Sequence, residues 1–337
     1  MEKMLQSKWF VLFLFAVVII AVIKEFRSCS KPDIFATPLL PRNDYWEAPS
    51  FFTEKIEPGE DRQQLIYGED LIANTSKYLG PKGTVAQATN GMNCQNCHLN
   101  AGTKLFGNNY SAVASTYPKF RDRSGSIESI EKRVNDCLER SLNGKALDSN
   151  SKEMRAIVAY IKWLGKYVKK GEKPKGVGIT DLKFLDRAAS PANGKVVYLS
   201  KCQICHGANG EGVKDQNNIS YVYPPLWGEH SFNIGAGLYR LSRLAGYVKD
   251  NMPFSPTTDH FHPQLSDEEA WDVAAYVNSQ PRPQKDLSKD WPKIATKPID
   301  HPFGPYADGF SEQQHKYGPF EPIKKAKEEL SSKKSLN

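Results

Sequence analysis

Methionine and histidine are scarce in this sequence, with five of the first and seven of the second in 337 residues. Neither occurs between His98 and Cys137. Charge of one sign is also lacking. Lys+Arg 45 against Asp+Glu 38 leave a formal net charge of +7, too small a bias to suggest nucleic acid by itself. Long apolar runs are lacking except for Trp9 to Ile23, and strong periodicity is lacking after Pro281. The remainder, 39% hydrophobic and 25% charged, has an ordinary globular composition. The length allows two small domains plus extras.

Of six cysteines, four fall into two Cys-x-x-Cys-His motifs, Cys94-Gln-Asn-Cys97-His98 and Cys202-Gln-Ile-Cys205-His206. Two thiols three apart on one helical turn reach the two vinyl groups of a haem, and the adjacent imidazole reaches the iron. A zinc site or a disulfide pair would leave both histidines unexplained. The spacing therefore predicts two covalently bound c-type haems, with His98 and His206 as proximal ligands. Four propionates would leave the loaded protein weakly basic, enough for weak steering of anions. Such haem attachment occurs outside the cytoplasm.

The apolar run is flanked by Lys3 and Lys8 before and Lys24 and Arg27 after. A helix over residues 9–23 is about 22 Å long, short of a hydrocarbon core of about 30 Å unless the lysines snorkel. No Ala-x-Ala-like cleavage site follows. We read residues 1–30 as an uncleaved signal anchor that holds the protein on the periplasmic side of the inner membrane. A soluble periplasmic protein after signal cleavage is the alternative. Cys29 reads as an exposed juxtamembrane thiol, since Phe26-Arg27-Ser28 is a poor lipoprotein match.

Two units then repeat. Residues 31–60 form a proline- and aromatic-rich linker. A helical pattern runs from about Asp61 to Leu79, and Gly68 four before Ile72 suits a close helix crossing. Ser126 looks like the cap of a helix with Ile127, Ile130, Val134, Cys137 and Leu138 at helical spacing. Asn150 with Glu153 resembles a capping box before the stripe Met154, Ile157, Val158, Ile161 and Leu164. A Lys/Gly-rich connection over residues 166–190 separates the units. Gly194 four before Tyr198 opens the second, and Ser266 with Glu269 is a capping box. Ala275-Tyr276-Val277 echoes Ala159-Tyr160-Ile161. Cys137 lies 23 residues before Tyr160 and Met252 lies 24 before Tyr276, so the two occupy equivalent places.

That place supplies the distal haem ligand in a class I cytochrome c. Met252, followed by Pro253, is the candidate at the second haem, with His230, His260 and His262 as rivals. A thioether raises the potential and suits an electron exit. Cys137 is the candidate at the first haem; a buried inert cysteine or a disulfide with Cys29 are its bland readings. Arg133, Cys137 and Ser141 are four apart on one helix side. Arg121, Arg123 and Arg140 add positive charge, which favours the thiolate form of a cysteine. A thiolate is also a nucleophile, and basic residues around it would receive a small dianion. This points to sulfur chemistry on an oxyanion.

Asn90-Gly-Met-Asn-Cys94-Gln-Asn-Cys97-His98, Phe106-Gly-Asn-Asn-Tyr110, Asn135-Asp-Cys137-Leu-Glu-Arg-Ser-Leu-Asn-Gly144 and Gly304-Pro-Tyr-Ala-Asp-Gly-Phe310 resemble the dihaem, tetrathionate-forming thiosulfate dehydrogenases. The resemblance covers about residues 60–323. The first domain is also similar to the haem subunit of the periplasmic thiosulfate-oxidising multienzyme system. The resemblance implies coupling of two thiosulfates to tetrathionate with release of two electrons, or the reverse. It also implies that Cys137 is ligand and catalytic sulfur, and that Arg123, Arg133 and Ser141 are substrate-site positions. Some members carry a lysine beside the second-haem methionine that competes for iron. Here the neighbour is Asn251, so that switch is not expected.

The expectation is an all-α protein with cytochrome c domains over residues 61–170 (catalytic haem) and 185–282 (electron-exit haem). An irregular tail follows over residues 283–337. The expected partners are a small anionic sulfur substrate, an external electron-transfer partner (a cytochrome c or a membrane redox protein) and the membrane, with no nucleic acid. A plain dihaem electron-transfer subunit and a sulfur carrier with a Cys137 persulfide are the other readings.

Overall fold

Helices carry most of the regular structure. In a computed structural model that describes residues 44–52, 54–56 and 61–334, the longer ones are α1 (Arg62–Ala73), α2 (Ile130–Arg140), α3 (Lys152–Leu164), α4 (Pro191–Lys201), α5 (Leu241–Asn251) and α6 (Asp267–Ser279), followed by α7 (Glu312–Tyr317) and α8 (Glu321–Lys334). Two small antiparallel hairpins interrupt them, β1 (Lys119–Arg121) with β2 (Ser126–Glu128), and β3 (Val213–Lys214) with β4 (Tyr221–Tyr223). The expected anchor over residues 9–23, Cys29 and most of the linker lie outside the described residues. Among the described residues, no helix is long and apolar enough to cross a membrane.

Glycine sets both helix crossings. A Cβ on Gly68 of α1 would sit 2.1 Å from the Ala156 carbonyl oxygen of α3. A Cβ on Gly194 of α4 would sit 1.8 Å from the Asp272 carbonyl oxygen of α6. Only a bare backbone permits such approach. Around the first crossing Leu65, Leu71, Ile72, Met154, Ile157, Tyr160, Ile161 and Leu164 close a core, and around the second Val197, Tyr198, Leu241, Leu244, Trp271 and Val277 close another. A third apolar cluster joins the halves: Met92, Leu138 and Leu142 from the first meet Tyr221, Phe232, Ala236 and Tyr239 from the second. Polar ties reinforce it, with Asn93 Nδ2 donating to Ser220 Oγ at 2.7 Å and the Tyr247 hydroxyl donating to the Asn96 carbonyl at 3.0 Å.

Several local expectations shift. The helical stretch from Asp61 breaks at Asn74 into α1 and a short helix, Thr75–Leu79. Asp61 caps α1 by accepting from the Gln63 and Gln64 amides. The α2 cap is Ser129, which accepts from the Lys132 amide, not Ser126. Ser126 instead pairs with Arg121 in the first hairpin, which leaves Ile127 73% exposed. The α3 cap is Ser151, not Asn150, so Glu153 slides one place off the capping-box position and accepts from the Tyr67 hydroxyl at 2.9 Å. Ser266 and Glu269 do form a full capping box.

The tail is not irregular throughout, because α7 and α8 lie within it. Tyr317, Phe320 and Ile323 enter the second core, and the Ala189 amide donates to the Tyr317 carbonyl at 2.8 Å. Tyr317 at the end of α7, Phe320 in the link and Ile323 at the start of α8 form no amphipathic stripe, which is why the pattern is weak in sequence.

Candidate active site

Both haem motifs are built alike. Cys94–Asn96 form a tight helical turn, and the Cys94 amide donates to Thr75 Oγ1 at 2.9 Å. His98 Nδ1 donates to the Asn108 carbonyl at 2.6 Å, and His206 Nδ1 donates to the Pro224 carbonyl at 2.8 Å. A carbonyl only accepts, so each Nδ1 carries the proton and each Nε2 is left bare toward a metal. Burial pushes the His98 pKa down to about 4 against the Asn108 bond, with the Arg133 charge adding to the fall. Burial lowers His206 as well, again against its carbonyl bond. Both rings are therefore neutral, as a metal ligand must be. Tyr110 stacks on His98 at 4.5 Å.

Over the first motif stands α2. Cys137 is half-buried on it and lies within electrostatic reach of Cys94, Cys97, Tyr110 and Tyr117. Arg133, one turn earlier, feels Cys137 most of all. This electrostatic coupling to Cys137 raises the guanidinium pKa above its ordinary value although burial opposes it. Ser141, one turn later, ends the helix, and its amide donates to the Cys137 carbonyl at 2.8 Å. Arg123 comes from the turn between β1 and β2, and its Nη1 donates to the Gly235 carbonyl at 3.3 Å. Burial pulls its pKa to about 10, helped by Arg140 and Arg133 and opposed by Asp290. The fold thus brings Cys94, Cys97, His98, Arg133 and Cys137 together, adds Arg123 from a separate element, and sets Ser141 at the end of α2.

Sequence reasoning missed one partner of this site. Arg140 is gripped by Asp290, whose two carboxylate oxygens accept from Nη1 and Nη2 at 2.8 and 2.8 Å. Asp290 belongs to the tail, and no local pattern could pair residues so distant.

The second motif opens into a cavity of about 580 Å³. Cys202, Cys205, His206 and Met252 line it with Leu226, Leu244, Val248 and Val273. None of His230, His260 and His262 lines it. His260 is engaged by Asp250 at 3.0 Å and stacks on Phe106 at 3.8 Å, and His262 pairs with Asp259 at 3.0 Å. Met252 ends α5 at the cavity wall. Cys97 and Asn96 line the same cavity, so the two motifs share a wall. Unpaired cysteine pairs and bare imidazole nitrogens at both motifs fit haem attachment, and at the second motif the apolar cavity adds room for the group.

Comparison with known proteins decides the family. Residues 84–168 match the SoxA/TsdA cytochrome c domain and residues 191–281 match cytochrome c. The chain is 39% identical over 198 residues to thiosulfate dehydrogenase of Allochromatium vinosum, across 58% of this chain and 71% of that protein. It is 34% identical over 241 residues to that of Stutzerimonas stutzeri, across 71% of this chain and 74% of the relative. The chain belongs to the thiosulfate dehydrogenase family. The family member of Psychrobacter arcticus is 42% identical over 206 residues, which are 60% of each chain. The solved thiosulfate dehydrogenase (TsdBA) of Marichromatium purpuratum superimposes with a TM-score of 0.64 at 27% identity, covering 82% of this chain and 54% of that one. Alignments thus span less than two thirds of some relatives' length. As a thiosulfate dehydrogenase family member with two cytochrome c domains, the chain carries two c-type haems.

Proposed function

We propose that the protein couples two thiosulfates to tetrathionate with release of two electrons, and runs the reverse reaction where the acceptor's potential favours it. The observation that carries this reading is Cys137 beside Arg133 over the first haem motif, with Arg123 converging from another element. Thiosulfate binds through its sulfonate to Arg123, Arg133 and Ser141 by charge-assisted hydrogen bonds. Its outer sulfur bonds to the Cys137 thiolate, giving Cys–S–S–SO₃⁻ and two electrons. A second thiosulfate attacks the sulfane sulfur, releases tetrathionate and restores the thiolate, so atoms and charge balance. Haem bound at each motif would supply the one-electron redox chemistry that takes up the two electrons on their way to an external acceptor.

His98 and Cys137 would hold the iron of a haem at the first motif, and His206 and Met252 that of a haem at the second. Thioether bonds form at Cys94, Cys97, Cys202 and Cys205. The wall shared by the two motifs supports a short route between haems. The electron partner is a cytochrome c or membrane redox protein outside the cytoplasm. Residues 9–23 anchor the protein on the periplasmic side, or are removed as a signal. The test is turnover of thiosulfate with a dye acceptor and assay of tetrathionate. Dye reduction without tetrathionate would leave a plain electron-transfer subunit in its place.

A further inference from the structure

The Lys/Gly-rich connection after α3 takes no part in the proposed reaction, yet its backbone is pinned to the first domain. Between residues 162 and 175 six lysines stand against one acid, Glu172. The Gly171 amide donates to the Ser115 carbonyl at 2.8 Å, Ser115 Oγ donates to the Glu172 carbonyl at 2.7 Å, and the Trp46 amide donates to the Lys175 carbonyl at 3.2 Å. Lys166 is paired with Glu54 at 3.5 Å. Lys169, Lys170 and Lys173 stay exposed, and Lys170 Nζ donates to a carbonyl, that of Tyr117. Like charges fixed this close together repel, and a covering surface of opposite sign relieves them.

Exposed apolar side chains border these lysines on both sides. Residues 51–54 run along the end of α3, where Phe51 stacks on Trp163 at 4.4 Å and Glu54 accepts from the Tyr167 hydroxyl. Phe52 is left 99% and Tyr167 68% exposed. On the other side Tyr117 leads into β1, whose Phe120 lies directly opposite Ile127 of β2. Residues so paired share one face of a hairpin, and these two are 54% and 73% exposed. Lys119 connects the two stretches: burial lowers its pKa, and the charges of Arg121 and Lys173 lower it further. Lysines beside exposed aromatic rings are complementary to one kind of surface, anionic headgroups over acyl chains.

We propose that this face, formed by residues 166–173, Phe52 and the Phe120–Ile127 pair, docks the protein on an anionic lipid bilayer. The ammonium groups meet headgroup phosphates, and the apolar side chains enter the interfacial layer. Neither thiosulfate chemistry nor the fate of residues 9–23 bears on this contact.

Acetylation footprinting of the full dihaem protein tests it, because the readout is local and a tether elsewhere acts on all vesicles alike. The protein is mixed with vesicles of phosphatidylcholine, alone or with phosphatidylglycerol, and lysine acetylation rates are read by mass spectrometry. On the anionic vesicles Lys169, Lys170 and Lys173 should react about tenfold more slowly, with Lys195 of α4 unchanged, and high salt should restore the rates. The double variant Lys169→Gln, Lys173→Gln should return Lys170 to its rate on neutral vesicles, since each lysine near an anionic surface is worth roughly fivefold in partition. Phe52→Ser should weaken the protection and keep its salt dependence. The substituted side chains are exposed, and haem content and thermal midpoint are checked first. Equal rates on both kinds of vesicle, or protection that the variants leave intact, overturn the docking face. Protection by a soluble acidic protein and none by anionic vesicles also overturns it and assigns the face to a protein partner. Thiosulfate turnover of the same samples decides the proposed function separately.

Discussion

The two halves of the molecule are one scaffold used twice, and they differ where it counts. Each crosses two helices through a glycine, at Gly68 and at Gly194, and each ties the histidine of its motif to a backbone carbonyl. At equivalent places in the repeat the first half has Cys137 and the second Met252. Four residues earlier the first has Arg133, coupled electrostatically to Cys137, and the second has Val248 in an apolar cavity wall. On the proposed function, fold and haem capture are separable from chemistry, since two positions four residues apart distinguish the proposed reaction site from the proposed electron relay.

The largest effect comes from erasing that difference. Cys137→Met should keep both haems and the fold, because methionine is flexible, apolar and similar in bulk. It cannot form a disulfide-like bond to a sulfane sulfur. Thiosulfate oxidation should fall at least about a thousandfold, as when a nucleophile is deleted elsewhere. The first-haem potential should rise as a neutral thioether replaces a thiolate. Substantial tetrathionate formation by the loaded variant would remove Cys137 from the chemistry.

The next effect tests whether the scaffolds are truly alike. Gly194→Ala and Gly68→Ala each thrust a methyl against a backbone carbonyl, at 1.8 and 2.1 Å. Helices must part, and overpacking of this kind costs typically 1–3 kcal/mol. We expect about 3 kcal/mol at both sites, read from thermal or denaturant unfolding of the holoprotein. One silent variant would show that the crossings are not equivalent.

The Gly68 crossing was legible in sequence because a glycine four residues before a large apolar side chain has few other uses in a helix, and the repeat carries the same spacing to Gly194 and Tyr198. The two Cys-x-x-Cys-His motifs and the matched spacing of Cys137 and Met252 were legible because covalent haem capture fixes local spacing. The rest depended on long-range contact. Ser126 and Ser129 are both plausible caps, and the pairing of Ser126 with Arg121 selects the second. Asp290 meets Arg140 only through the folded tail, and a tail that buries Phe320 between its helices and Ile323 at the start of α8 leaves little periodic trace.

A smaller effect follows from Arg133→Val, which copies Val248 into the first half. If Arg133 pairs with the thiosulfate dianion, its loss removes a charge-assisted bond worth about 1.5–3 kcal/mol. The KM should rise at least about tenfold, with both haems retained and tetrathionate still the product. Unchanged kinetics would mean that Arg133 serves only to balance the charge of Cys137.

The smallest effect separates the helix starts of the two halves. Ser151 accepts one bond from the Met154 amide at 3.1 Å, and Ser266 accepts one from the Glu269 amide at 3.1 Å. Losing a serine cap costs about 1 kcal/mol. In the second half Glu269 also accepts from the Ser266 amide at 2.9 Å, and that reciprocal bond survives removal of the serine hydroxyl. In the first half Glu153 is turned to Tyr67, so nothing on α3 reaches back. Ser151→Ala should therefore cost slightly more than Ser266→Ala, each lowering the thermal midpoint by about 2–4 °C. The double variant Ser266→Ala, Glu269→Ala should exceed either single one, because it also strips the bond from Glu269 to Lys201 at 2.7 Å. A Ser266→Ala loss larger than that of Ser151→Ala would mean that the reciprocal bond depends on the hydroxyl and that the two starts are not independent versions of one device.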